Sequence, residues 1–115
     1  MLTEEIYRGD IVLAETTATG EHIQQGKRPY LILSNNANNK YSDIVVGIPF
    51  TTSRTKKNIP THYTFWWNRH TTTALCEQPT LLVKANIYEI MDIIADKHLK
   101  EIENRVLVQL DIKGE

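Results

Sequence analysis

Cysteine is nearly absent from the 115 residues: Cys76 is the only one, so no disulfide can form within the chain. No apolar run is long enough to cross a membrane. The first ten residues, MLTEEIYRGD, carry acids where a signal peptide has a basic start and an apolar stretch. These absences exclude a disulfide-stapled scaffold and a membrane protein, and we expect a cytoplasmic chain in a reducing compartment.

The sequence also lacks the motifs of common cofactor and metal sites. It has no glycine-rich phosphate loop, no paired cysteines and no His-x-x-x-His spacing, and its four histidines are scattered. No serine lies in a nucleophile-elbow context. We therefore expect no cofactor and no metal. Cys76 lies in an apolar stretch, which predicts a buried thiol.

An excess of charge of one sign is missing as well, since 13 Lys and Arg oppose 14 Asp and Glu, for a net charge of −1. The distribution is nevertheless uneven. Residues 24–70 contain seven Lys and Arg but one acid, Asp43, whereas the acids collect nearer the two ends of the chain. This pattern predicts one basic face on a neutral protein, so nucleic acid stays open as a partner.

Short apolar segments alternate with turn residues through the first two-thirds of the chain. They predict strands at residues 11–15, 30–34, 43–50, 60–66 and 72–77, and in the first half of 87–94. The near-continuous apolar run of 43–50 indicates a central strand. The Asn-rich segment 35–40 predicts a loop.

The end of the chain has a helical period instead. Apolar residues recur on one helical face: Leu99, Ile102, Val106 and Leu110. Asp96 is predicted to be the N-cap of this helix. No repeat or linker divides the chain, so we expect residues 1–115 to form one domain. Several strands followed by one helix predict a mainly β fold, a strongly curved antiparallel sheet or barrel with the helix packed on it, and an α+β sandwich is the alternative.

Arg28 ends a polar loop, residues 16–28, that also contains His22. A loop of this length in a small domain is often functional. Pro29 restricts the backbone of Arg28 at the mouth of a strand, while the guanidinium can still reach outward. Its planar fork can bind two phosphate oxygens, which makes Arg28 a candidate phosphate ligand. The alternative is a surface arginine paired with a nearby acid.

Two further polar stretches leave predicted strands. After the central strand come hydroxyls and a basic loop that suit phosphate oxygens: Thr51, Thr52, Ser53, Arg54, Lys56 and Lys57. Ordinary turn composition is the alternative. At the end of the strand at 72–77, Glu77 offers an acid or base and Gln78 offers an amide for base recognition. The alternative there is a polar strand end.

Three aromatic residues are adjacent at 65–67. Strand alternation places Trp66 on the face opposite Phe65 and Trp67. A domain of this size cannot easily bury all three rings. We therefore expect a core role for one, and base stacking or an interface with a subunit or partner for at least one.

Several of these segments, in their order along the chain, resemble the MazF/PemK family of toxin endoribonucleases. The matching segments are RGDIVLAE at 8–15, HIQQGKRPYLILSN at 22–35, VVGIPFTTS at 45–53, NIPTHYTF at 58–65, ALCEQP at 74–79 and DKHLKEIENRVLVQLDI at 96–112. Together they span nearly the whole chain.

The resemblance implies an SH3-like, curved antiparallel β-barrel of the MazF/CcdB type with helices, acting as a homodimer. It implies the toxin of a type II toxin–antitoxin system that cleaves single-stranded mRNA at specific sequences without a metal ion. In that reaction the ribose 2′-OH attacks the adjacent phosphate and leaves a 2′,3′-cyclic phosphate and a 5′-OH. A cognate antitoxin is the implied protein partner.

The resemblance also implies roles for particular residues. Arg28 matches the catalytic arginine, and Thr51 matches the catalytic threonine. His22 matches a loop histidine of PemK-type members, and Glu77 matches the acid of an acid–Gln pair. The residues then expected to contact RNA are Lys27, Thr52, Ser53, Arg54, Lys56, Lys57 and Gln78.

The chain departs from the family pattern in its loop, where Ile23 replaces a glutamate, and in the shortened region between His62 and Glu77. Leu75 and Thr80 also stand where family members carry arginines. This departure leaves a second function open: a non-catalytic module that binds nucleic acid or protein on the same fold, like a gyrase poison or an inactive toxin homologue. A scaffold that only partners an antitoxin is a third.

Overall fold

Seven strands and two α-helices make up the part of the chain that the computed structural model describes, residues 2–16, 26–52 and 59–113. In chain order they are β1 (Asp10–Glu15), β2 (Lys27–Ile32), α1 (Asn36–Tyr41), β3 (Ile44–Thr51), β4 (His62–Trp67), β5 (His70–Leu75), β6 (Thr80–Val83), β7 (Ile87–Ile93) and α2 (Asp96–Gln109). A 3₁₀ turn, Lys84–Asn86, joins β6 to β7. In these ranges, neither helix has the length and apolar character needed to cross a membrane.

The strands form one antiparallel sheet in the order β4–β5–β3–β2–β1–β7, and β6 pairs with β3. β3 bonds to β2, β5 and β6, which confirms the central strand predicted at 43–50. Among the described strands the order ends at β4 and β7, so the curved sheet is open and not a closed barrel. Its two edges still approach each other, because Trp67 Nε1 on β4 donates to Asp92 Oδ2 on β7 over 3.0 Å.

Side-chain alternation buries both faces of the sheet. On one face, Ile11 and Leu31 belong to a core that includes Ile102 of α2. On the other face, Val12 and Tyr30 belong to a second core. Neighbouring residues of β1 and β2 therefore serve different cores, and all five of these residues are fully buried.

α2 confirms the predicted C-terminal helix, with differences at its two ends. The predicted apolar face packs on the sheet around Ile102, whereas Leu110 is 55% exposed at the C-cap. The N-cap is Ala95, so the prediction that Asp96 is the N-cap is wrong. Asp96 lies in the first helical turn, where its negative charge is favourable to the helix dipole.

The Asn-rich segment forms α1, so the loop predicted there is wrong. Asn35 is the N-cap, and its side-chain oxygen accepts a hydrogen bond from the Asn38 N–H at 2.9 Å. Asn39 is buried, and its amide donates to the Ser34 carbonyl at 2.8 Å. Asparagine disfavours helix interiors, but here its side chains cap the short helix and bind it to the preceding turn.

The structure contains one strand that the sequence did not predict, β6, and one that is longer than predicted, β7. β6 was not predicted, because its four residues form a strand only through pairing with β3. β7 continues to Ile93 instead of ending halfway, since β1 pairs along its length. Both differences arise from contacts between distant segments, which override local propensity.

Candidate active site

A cleft of about 310 Å³ opens where β2 begins and β3 ends. Its lining residues are Lys27, Arg28, Pro29, Phe50, Thr51, Thr52, Trp67, Asn68, His70 and Thr72. Four of these are predicted site residues: Lys27, Arg28, Thr51 and Thr52. The fold therefore brings the two predicted phosphate-binding stretches together in one place, which we call the cleft.

Antiparallel pairing explains why Arg28 and Thr51 meet there. The last pair of the β2–β3 ladder is Tyr30 and Pro49, and Arg28 and Thr51 each lie two residues beyond it, so the two strand ends meet at the cleft. A two-residue step returns to the same face of a strand, so Arg28 and Thr51 share the face of Tyr30 and Pro49, and they meet Phe50 of the other face at the end of the sheet, where the cleft lies. Thr51 also pairs with Thr73 on β5, which fixes the end of β3.

Lys27 and Arg28 supply the positive charge of the cleft. Lys27 is exposed, and its Nζ lies 4.2 Å from the centroid of the Tyr88 ring, a cation–π contact. Arg28 is half-buried beside the core. Burial raises the pKa of the Tyr30 hydroxyl, and the charge of Arg28 opposes part of that rise. Tyr30 is therefore a neutral phenol at physiological pH.

The β4–β5 hairpin forms another wall of the cleft. Its turn residues Asn68 and Arg69 have φ of 53° and 68°, the left-handed conformations of a two-residue hairpin turn. Trp67 packs edge-on against Phe50, with ring centroids 5.6 Å apart and an interplanar angle of 71°. The Thr72 hydroxyl lies 3.3 Å from the Trp67 carbonyl and closes the hairpin.

The predicted alternation of the aromatic triplet is confirmed. Phe65 is buried in the core beneath α2, Trp66 is 70% exposed on the opposite face, and Trp67 lines the cleft. Asn68 and His70 were not predicted as site residues. The available signal was the Asn-Arg pair between two alternating segments, because asparagine tolerates the left-handed backbone of a hairpin turn.

Glu77 and Gln78 do not line the cleft. They lie with His62 in a group that we call the His62–Glu77 cluster. Glu77 Oε2 is 2.8 Å from His62 Nε2, and the His62 side chain is only 10% exposed. Among the described residues, His62 Nδ1, Glu77 Oε1 and Gln78 Oε1 are buried without a hydrogen-bond partner.

The sheet register accounts for this separation. Thr73 lies opposite Thr51, and Glu77 follows four residues later, beyond the end of β5. The chain turns there, since the Gln78 N–H donates to the Leu75 carbonyl at 3.0 Å, and Glu77 is not among the residues that line the cleft. The described chain thus brings Arg28 and Thr51 together but leaves Glu77 apart from them.

Five predicted site residues lie outside the described ranges: His22, Ser53, Arg54, Lys56 and Lys57. Cys76 is fully buried, as predicted, and burial raises its pKa to about 12. It is therefore not a nucleophile at neutral pH. Within residues 2–16, 26–52 and 59–113, no three His, Cys, Asp or Glu side chains are grouped so that they could hold a metal ion.

Comparisons with known proteins agree with this fold. Residues 7–110 match the family described as PemK-like, MazF-like toxin of type II toxin–antitoxin system. The chain is 31% identical over 109 residues to the endoribonuclease MazF of Staphylococcus saprophyticus, and the match covers 91% of each chain.

Solved structures show the same architecture. A crystal structure of MazF from Deinococcus radiodurans superposes with a TM-score of 0.82 at 22% identity, over 95% of this chain and 99% of that one. A mycobacterial endoribonuclease in complex with its cognate antitoxin superposes with a TM-score of 0.79 at 22% identity, over 96% and 99%. The resemblance predicted from the sequence is thus confirmed, and the chain belongs to the PemK-like, MazF-like toxin family of type II toxin–antitoxin systems.

Proposed function

We propose that the chain is an endoribonuclease toxin that cleaves single-stranded mRNA at specific sequences without a metal ion. The ribose 2′-OH attacks the adjacent phosphorus, and the bond from phosphorus to O5′ breaks. The products are a 2′,3′-cyclic phosphate and a 5′-OH. The observation that carries this proposal is that Arg28 and Thr51, each two residues beyond the last β2–β3 pair, both line a cleft of ligand size.

Arg28 and Thr51 hold the scissile phosphate in the proposed reaction. The phosphorane formed by 2′-OH attack carries more negative charge than the diester, and a fixed guanidinium stabilises that charge. The fork of Arg28 suits two non-bridging oxygens. The Thr51 hydroxyl donates to a phosphate oxygen from a side chain only 8% exposed, so little conformational freedom is lost on binding. Exposed Lys27 and Thr52 bind flanking phosphates.

Two proton transfers complete the reaction: one from the 2′-OH and one to O5′. We assign the role of proton carrier to His22, because it lies in the sequence segment that leads directly into Arg28. Glu77 is the second candidate, and because it does not line the cleft, direct action on the same phosphate in one chain is disfavoured. Further RNA contacts are assigned to Ser53, Arg54, Lys56, Lys57 and Gln78.

A cognate antitoxin and a second copy of the chain are the proposed protein partners. The mycobacterial structure similar to this chain contains a cognate antitoxin, and further similar crystal structures are MazE–MazF complexes from Deinococcus radiodurans. An acidic antitoxin segment laid over Lys27 and Arg28 would compete with RNA. The homodimer rests on the family resemblance, and the mRNA substrate implies a cytoplasmic site of action.

A binding module without catalysis is the second candidate function. Leu75 is 4% exposed and Thr80 is 8% exposed, at positions where the family pattern has arginines. A buried leucine cannot replace a cation at a phosphate. If those arginines are needed for turnover, the chain retains RNA affinity and loses cleavage.

The test is incubation of the purified protein with a long single-stranded RNA in EDTA, with the new 5′ ends mapped. We expect discrete cuts that leave 5′-OH ends, and no cuts with Arg28→Ala. The matched control is Lys40→Ala, which removes an exposed cation on α1 and should cut like the parent. Binding without products from the parent would favour the module, and full activity of Arg28→Ala would overturn the assignment.

A further inference from the structure

We propose that the tip of the β4–β5 hairpin, residues 67–70, is a nucleobase subsite that selects the nucleotide beside the scissile phosphate. One base stacks on the indole of Trp67, and the side-chain amide of Asn68 binds the edge of that base. This inference rests on the proposed RNA cleavage and adds to it the residues that choose where the strand is cut.

Trp67 is held as a rigid wall. Its ring packs edge-on against Phe50, and its Nε1 donates to Asp92 Oδ2 at 3.0 Å. The ring is half-buried and lines the cleft, so part of it faces the ligand space. Two anchors on different strands fix its orientation before RNA arrives, so stacking a base on it costs little side-chain entropy.

Asn68 is presented to the cleft by its backbone. Its φ of 53° and the φ of 68° at Arg69 form the tight turn that projects the exposed Asn68 side chain beside Trp67. A carboxamide offers a donor and an acceptor together, which is the pair needed to read the edge of a base. His70 pairs with Trp67 across the hairpin and also lines the cleft.

The size and composition of the cleft favour one flipped-out nucleotide. Its volume of about 310 Å³ lies at the low end of the range for ligand pockets, roughly 300 to 1,000 Å³. Cations and hydroxyls line the side formed by β2 and β3, and an aromatic ring and an amide line the hairpin side. This division matches a nucleotide, which has an anionic phosphate at one end and a flat polar-edged base at the other.

Trp66 provides an internal control. It neighbours Trp67 in sequence but is 70% exposed on the opposite face, which is the face of Thr73 and Thr51, and it does not line the cleft. Removing either indole deletes the same chemical group from the same strand. If a general effect of aromatic loss were responsible, both substitutions would act alike, whereas a subsite at Trp67 predicts that only one does.

The experiment compares Trp67→Leu, Trp66→Leu and Asn68→Gly with the parent on a random-sequence RNA pool in EDTA. Cleavage rates and aligned cut sites are measured, and urea unfolding is measured for each variant. We expect Trp67→Leu to lower kcat/KM about 10-fold or more, as loss of one stacked base predicts. Asn68→Gly keeps the left-handed turn, and should relax base preference about 10-fold at one position beside the cut. Trp66→Leu should stay within about 2-fold of the parent on the same scale.

The outcomes separate this inference from the proposed function. Parental cleavage with unchanged rate and cut sites in Trp67→Leu and Asn68→Gly overturns the subsite and leaves the nuclease intact. If Trp67→Leu does not fold, the Asn68→Gly cut sites decide alone. If the parent binds RNA without cutting it, the Kd values of the same variants are compared instead. Weaker binding by Trp67→Leu and Asn68→Gly would support the subsite, and unchanged Kd values would overturn it. A parent that neither binds nor cuts RNA overturns both proposals.

Discussion

The cleft and the His62–Glu77 cluster are two polar regions of one sheet, and they are built in opposite ways. The cleft faces a ligand-sized space with cations, hydroxyls and an amide. In the cluster, one carboxylate oxygen is paired with a nearly buried imidazole and three other polar atoms are enclosed. Those three atoms have no hydrogen-bond partner among the described residues, although buried polar groups are normally paired. The two regions therefore differ in geometry: the cleft is open to a ligand, whereas the polar groups of the cluster are enclosed.

Arg28→Lys is the sharpest test of the cleft. Lysine keeps the charge but loses the planar fork, and removal of one such transition-state contact typically lowers the rate about 10²- to 10³-fold. The free energy of unfolding should fall by only about 1 kcal/mol or less, because lysine keeps the positive charge beside Tyr30. Cleavage rate and urea unfolding are measured together. Similar losses of stability and rate would mean that Arg28 supports the fold and not the reaction.

His62→Ala should lower the stability of the protein and leave the cleavage rate almost unchanged. Without the imidazole, the Glu77 carboxylate loses its partner in a partly enclosed site, and we expect a loss of about 2 to 3 kcal/mol in the free energy of unfolding. The cleavage rate per folded molecule should stay close to that of the parent. Urea unfolding and a single-turnover assay measure the two quantities.

Glu77→Gln is the companion variant for the cluster. It keeps the shape and the hydrogen bond but removes the charge, so we expect the cleavage rate to fall no more than a few-fold. A 100-fold loss of rate with unchanged stability would show that Glu77 takes part in proton transfer. Glu77 would then belong to the reaction and not only to the enclosed cluster.

The α2 side of the molecule should also make the free energy of unfolding depend on pH. His98 Nδ1 is 2.7 Å from the Tyr63 hydroxyl, and burial, with a smaller contribution from the Lys97 charge, lowers the pKa of His98. The unfolded chain, in which the pKa is about 6.5, therefore binds this proton more readily than the folded one. The contribution of neutral His98 to the free energy of unfolding is therefore complete above the unfolded pKa, and it is lost as the pH falls through the lower pKa of the folded state.

His98→Gln tests this sign. Urea unfolding at pH 7 and pH 5 should show that the parent loses more stability on acidification than the variant does. An equal loss in both proteins would assign the acid sensitivity to other groups. The Arg28→Ala variant should retain the pH dependence of the parent, since Arg28 lies in the cleft and not beside His98.

Lys27→Ala should give the smallest effect. The lysine is exposed and its Nζ rests over the Tyr88 ring, so a flanking phosphate contact is worth only a few-fold in RNA affinity. The slope of log K against log salt should decrease by about 0.7, the value for one phosphate contact on a single strand. Binding titrations at several salt concentrations measure the slope. An equal change in Lys40→Ala would show that only total charge matters.

The sequence was sufficient to predict that the ends of β2 and β3 supply polar residues to one site, but not that the β4–β5 hairpin lines the same cleft. Arg28 stood out because Pro29 follows it at the start of a strand. Thr51 stood out because it ends a strand and is followed by a run of hydroxyls and cations. Asn68 and His70 did not, because their approach depends on how β5 pairs with β3. Pairings between distant segments decide this, as they do for β6, and no local pattern encodes them. The same register placed Glu77 away from Arg28.

The sole thiol of the chain, Cys76, makes the molecule its own unfolding reporter. Its side chain is fully buried just past the end of β5, and only a thiolate reacts with alkylating reagents. The rate of labelling under native conditions therefore measures how often this segment opens, with no introduced probe. Because the cleft lies at the other end of β5, a bound ligand that favours the closed state would slow the labelling and reveal its presence from a distance.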